Sequence, residues 1–125
     1  MIITAFIALA LLALLTLFQI ALVCGAPFGH FAWGGKHRIL PPKLRIGSSA
    51  AILLYAFFAA LVAAQSDLWI IITNPTLVSI GLWVVAAYMT LGVFMNAISR
   101  SKPERFVMTP VALVLTICFV VLAMS

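Results

Sequence analysis

The sequence predicts an all-α membrane protein: a four-transmembrane-helix bundle of up-down topology with both termini outside. Three observations carry that prediction. Of the 125 residues, 66% are hydrophobic and only 7% are charged, whereas a soluble domain is about half apolar and about a quarter charged. A soluble fold of this length has too small an interior to hide so much Leu, Val, Ile, Ala and Phe. The apolar residues also fall into four runs, each near the roughly 20 residues that cross a hydrocarbon core. Finally, every Lys and Arg lies in the first or the third connection between those runs.

Residues 2–24 form the first run, broken only by Thr4, Thr16 and Gln19. It lacks a positive leading region and exceeds the 7–15 residues, or about that, of a signal-peptide core, so it is expected to remain as a span. Gly25, Ala26 and Pro27 end it, as glycine and proline past a helix C-terminus do. The connection 25–45 carries Gly25, Gly29, Gly34, Gly35, Pro27, Pro41 and Pro42, together with Phe28, Phe31 and Trp33. Its cations are Lys36, Arg38, Lys43 and Arg45. The aromatic half, 27–33, is expected in the headgroup region.

Residues 46–64 form the second span. Ala56, Ala60 and Ala64, with Ala59 and Ala63 beside them, make a small-residue stripe that predicts close approach of another helix and a central place for this one. Asp67 is the only charge of the second connection, in which 68–72 is apolar but too short to cross and reads as interfacial. Asn74 followed by Pro75 reads as an N-cap and a proline at the first helical position. Residues 76–98 form the third span. The tight connection 99–105 holds Arg100, Lys102, Glu104 and Arg105, and residues 106–124 form the fourth span, with Pro110 tolerated near its start. The whole chain, 1–125, reads as one transmembrane domain. Each half is a helix, a basic proline-containing loop and a helix, so any duplication is parallel.

Orientation follows from the cations, because in short connections Lys and Arg mark the cytoplasmic side. The first and third loops are therefore expected in the cytoplasm, and the termini and second loop outside. The net charge of +5 is accounted for by topology rather than by nucleic acid, and no nucleic-acid partner is expected. Cys24 and Cys118 fall at different depths, roughly 16 Å apart at about 1.5 Å per residue, too far for a bridge. Both are expected as buried thiols.

The first loop is the candidate site. Glycine amides approach a ligand closely, and Gly34 and Gly35 with His30, Lys36, Lys43, Arg45 and Arg105 are the residues expected to hold an anionic phospholipid headgroup. The competing reading is a compact interfacial connector whose cations serve topology. His30 and His37 with one nearby thiol fall short of a metal-ligand set, so no metal and no cofactor is expected. No catalytic set is present. Glu104 is expected to pair locally with Arg100, Lys102 and Arg105. Gln19, Tyr55, Tyr88, Thr90, Asn96 and Thr116 are expected to hydrogen-bond between helices, with Asn96 placed to reach a backbone carbonyl or the first loop. No ionisable side chain lies deep in a span, which counts against proton-coupled transport.

The run Gly25-Ala26-Pro27-Phe28-Gly29, then Gly34-Gly35-Lys36, then Leu40-Pro41-Pro42-Lys43-Leu44-Arg45-Ile46 resembles a group of small uncharacterised bacterial four-helix integral membrane proteins. The stretch Asn96-Ala97-Ile98-Ser99-Arg100-Ser101-Lys102-Pro103-Glu104-Arg105, followed by Thr109-Pro110-Val111, is similar to the second half of the same group. The resemblance implies a multi-pass protein of the bacterial inner membrane and no particular activity. Two functions stay open: a binding or accessory module associating with itself or a partner membrane protein, and a lipid-handling or small-molecule enzyme or transporter using the first loop.

Overall fold

The computed structural model describes all 125 residues and contains only helices and connections. Four helices are long and apolar enough to cross a membrane, and the protein is a multi-pass membrane protein. They are α1 (Ile2–Val23), α2 (Pro42–Gln65), α3 (Pro75–Ala97) and α4 (Thr109–Met124), the last continuing a π-helical turn at Glu104–Met108. They form a ring in chain order. α1 packs chiefly on α2, and α3 chiefly on α4, so the bundle is two hairpins laid side by side.

Helix starts follow proline chemistry more closely than charge. Pro42 occupies the first turn of α2, with Pro41 extended before it. There its missing N–H costs nothing and its fixed φ suits the helix. α2 therefore begins four residues before the expected span, and Lys43 and Arg45 ride on its first turn rather than in the loop. α3 starts as expected: Asn74 Oδ1 accepts from the N–H groups of Thr76 at 3.0 Å and Leu77 at 3.3 Å, with Pro75 behind it. Pro110 would push its ring against the carbonyl of Phe106 in a regular helix. The wider π turn over Glu104–Met108 is where the chain absorbs that conflict.

The packed core lies in one half of the bundle, the half away from the basic loops. It consists of Ala5, Ala8 and Leu12 of α1, Phe58, Leu61 and Val62 of α2, the Val78–Met89 face of α3, and Leu115, Cys118, Phe119 and Leu122 of α4. Phe58 is its hub, meeting the rings of Tyr55, Tyr88 and Phe119 edge-on with centroids 5.8–6.1 Å away. Leu61 fills the space over Gly81, where a β-carbon would come within 2.8 Å of it. The expected alanine stripe is only part of the inner face of α2: Ala63 is buried and Ala59 and Ala64 pack against the core, whereas Ala56 is exposed and Ala60 only partly covered. The large residues Phe58 and Leu61 turn inward beside them, because small partners are supplied by α1 and by Gly81. α2 takes a corner of the ring, not the centre.

Polar groups in the spans are mostly satisfied within their own helices rather than across the bundle. Thr16, Thr90 and Thr116 hydroxyls donate to the carbonyls one turn back at 2.7–2.8 Å. In hydrocarbon that local bond is available in every state of the helix, so it wins over a distant partner. An interhelical clamp stands at the core end, where Gln65 Nε2 donates to the carbonyl of Leu122 at 2.9 Å. Both cysteines are free, as expected, but only Cys118 is buried. Cys24 follows the last turn of α1, where the chain leaves the bundle, and its side chain is exposed.

Candidate functional site

At the end carrying the basic loops the four helices do not close. They leave a cavity of about 730 Å³, within the roughly 300–1,000 Å³ range of small-molecule sites. Its walls come from all four helices: Leu15, Phe18 and Gln19 of α1, Leu44 and Tyr55 of α2, Tyr88, Met89, Leu91, Gly92, Met95 and Asn96 of α3, and Val111 and Ala112 of α4. Gly92 contributes bare backbone, and a β-carbon there would meet no atom within 4 Å. Leu91 and Met95 line the cavity and are themselves exposed on α3, so it is reached from the membrane-facing side of that helix.

The first loop roofs this space. Phe31 packs edge-on against Phe18, centroids 6.4 Å apart. Trp33 lies over Gly47, within 2.7 Å of where a β-carbon would stand, and its indole N–H donates to the buried Ser48 hydroxyl at 3.1 Å. These two aromatics therefore pack onto the bundle, although Trp33, like Phe28, keeps an exposed edge. The roof is folded by its glycines. Gly29 N–H donates to the carbonyl of Arg38 at 2.8 Å, an approach that only a missing side chain permits, since a β-carbon would sit 1.9 Å from the carbonyl oxygen of His37. Trp33, Gly34 and Gly35 have φ of 53°, 77° and 72°, and a tryptophan in that region is a conformation held by its surroundings.

The two basic loops meet here. The Ser101 hydroxyl donates to the carbonyl of His30, and the N–H of Gly34 donates to Glu104 Oε2 at 3.1 Å. Glu104 does not pair with Arg100, Lys102 or Arg105. It makes no ion pair, is only 6% exposed, and forms part of the cavity wall. The π turn carries its side chain beneath the first loop while the neighbouring cations face outward. Gln19, one turn before the end of α1, is 9% exposed, and its Oε1 has no hydrogen-bond partner. Tyr55, on the neighbouring helix α2, lies within side-chain hydrogen-bonding reach of Gln19 and beside Tyr88.

The expected site residues divide. His30, Gly34, Gly35 and Lys36 do come together, around an open groove on the outer side of the roof, and Arg100, Ser101 and Lys102 share it. His30 Nδ1 donates to the carbonyl of Gly35 at 2.9 Å, so this histidine helps to fold the loop. Lys43, Arg45 and Arg105 stand elsewhere. Lys43 is exposed on α2. Arg45 Nε donates to the carbonyl of Leu40 at 2.9 Å, with its guanidinium against Gly25. Arg105 reaches the carbonyl of Ser99 at 3.4 Å and lies over the Phe106 ring, 4.8 Å from its centroid. Both arginines hold helix ends and loop backbone in place.

Glu104 and Gln19 as cavity walls escape a reading of the sequence. Glu104 stands among three cations, the pattern of a surface ion pair, and only the π turn reverses it. Gln19 carried a signal, being the most polar side chain in an otherwise apolar run. Comparison of the chain with family models, curated proteins and solved structures gave no match. The geometry of the cavity therefore carries the functional argument alone.

Proposed function

We infer that this is a multi-pass protein of the bacterial inner membrane that binds an amphiphilic membrane molecule in the roofed cavity, with the basic loops in the cytoplasm. The single observation behind the binding role is the position of the cavity. It is open beside α3, largely apolar along its walls, and polar at the loop end through Glu104, Gln19 and Asn96. That gradient matches a molecule with a hydrocarbon body and a polar head. Of the two functions left open by the sequence, it favours the lipid-handling one, in the form of a binding protein. Gly92→Leu is the test. The added side chain enters the cavity rather than packed protein, so the helical fold and thermal stability should be kept while co-purifying lipid, read by native mass spectrometry, falls at least roughly tenfold. Undiminished lipid retention in a well-folded Gly92→Leu protein would contradict the reading.

The orientation rests on the distribution of the seven cations, all at one end of the bundle, and is tested separately. In a Cys24→Ser background, Arg38→Cys and Lys102→Cys should resist a membrane-impermeant maleimide added from outside, and Asp67→Cys should react with it. The opposite labelling pattern would invert the topology.

A further inference from the structure

The polar end of the cavity has a chemical bias. Two of its three most enclosed polar side chains offer acceptors: the Glu104 carboxylate, and Gln19 Oε1, which has no partner; the third, Ser99, already accepts from the Ser101 N–H at 3.2 Å. A carboxylate accepts roughly four hydrogen bonds, and here the protein supplies one, from Gly34. A buried carboxylate without a counter-charge is costly. The chain has seven cations, yet none of them lines this space. Arg45 and Arg105 are held on backbone carbonyls. Lys36, Arg100 and Lys102 border the outer groove, on the far side of the Trp33–Gly34 roof. Inside, then, there is negative charge and acceptor capacity with no positive partner. A head with anionic groups and no cation of its own would meet Glu104 with nothing to offset the repulsion.

We propose that the cavity takes a membrane lipid whose head ends in a primary ammonium group, with the Glu104 carboxylate as counter-ion and Gln19 Oε1 as a further acceptor. A primary ammonium brings both the missing charge and three N–H donors. A trimethylammonium head brings the charge but no donor, and so leaves both acceptors unfilled. The source is the bilayer, because the cavity is reached beside Leu91 and Met95 on the membrane-facing side of α3. Glu104 and Gln19 both lie at the loop end of the bundle, the depth at which a lipid head sits while its chains stay in hydrocarbon. The proposal rests on the cavity being the lipid site, and it specifies the head.

The experiment equilibrates the full-length protein in nanodiscs holding equal amounts of phosphatidylethanolamine and phosphatidylcholine with identical chains, then releases it for native mass spectrometry. The wild-type protein should retain the ethanolamine lipid over the choline lipid by roughly tenfold, the scale of one charge-assisted hydrogen bond. Glu104→Gln removes the charge at nearly constant shape, and should bring the ratio close to one while lipid is still retained. Gly92→Leu should remove both lipids. A wild-type ratio near one, or a ratio unchanged in Glu104→Gln, overturns the proposal; if Gly92→Leu still expels both lipids, the cavity remains a lipid site with a different head. Retention of both lipids by Gly92→Leu overturns the cavity reading and this proposal with it. If Glu104→Gln does not fold, the wild-type ratio decides by itself, and Gln19→Leu, which should lower the ratio without abolishing it, supplies the second variant.

Discussion

Phe119→Ala is expected to destabilise the bundle by about 3 kcal/mol, the low end of the range for a buried aromatic truncated in a core. Phe119 is fully buried and closes the aromatic hub against Phe58, ring centroids 6.1 Å apart. In a soluble protein the loss would combine a transfer term and a cavity term. In a membrane the separated helices also sit in hydrocarbon, so most of the transfer term vanishes and the lost packing is what counts. A titration of the folded fraction with a denaturing detergent, in mild-detergent micelles, measures the effect. Val114→Ala, at an exposed position on the same helix, is the control and should shift the midpoint by under about 0.5 kcal/mol. Equal shifts at the two positions would mean that the core is not where the structure puts it.

Gly29→Ala should have the second large effect, of a different kind. The new methyl would stand 1.9 Å from the carbonyl oxygen of His37 and 2.7 Å from that of Arg38, and backbone cannot yield as a flexible side chain does. The cost of accommodation is about 3 kcal/mol, the upper end for overpacking. The helices need not bear it, because the first loop can lift off while the ring stays intact. The expected result is therefore an unchanged detergent midpoint together with an approximately hundredfold greater opening of the roof. Trp33 reports this directly. In a Trp69→Phe, Trp83→Phe background its emission should move to the red, and the loop should become a site of rapid proteolysis. A folded Gly29→Ala protein with the emission and protease resistance of its parent would remove the case for a close-packed roof.

How much of this was readable in the sequence depends on the range of the interactions involved. The four spans and the Asn74–Pro75 start of α3 were readable, because length, hydropathy and a cap are local properties. The start of α2 was misplaced because Lys43 and Arg45 look like loop residues, whereas Pro42 decides where the helix begins. The inner face of α2 was only partly readable, because the alanine stripe says that a helix can pack closely, not that it must: Ala59, Ala63 and Ala64 face the core and Ala56 does not. Phe58 and Leu61 share that face through partners on other helices. The roof was beyond reach for a further reason. Its key bond joins Gly34 to Glu104 across seventy positions of sequence, and the burial of Glu104 depends on a π turn that nothing in the local composition announces. Of the expected headgroup set, His30, Gly34, Gly35 and Lys36 were adjacent in sequence and stayed adjacent in space. Arg45 and Arg105 were chosen for charge alone, and went to carbonyls.

The pairing of α1 with α2, and of α3 with α4, also bears on how the protein is made. The first hairpin makes its closest contacts within itself, but its hub residue Phe58 meets Tyr88 and Phe119 of the second. In N-to-C synthesis the first hairpin is complete before the second. Docking of the two needs the whole chain. The hollow lined by α1, α2, α3 and α4 belongs to neither hairpin, and it exists only once that step is complete.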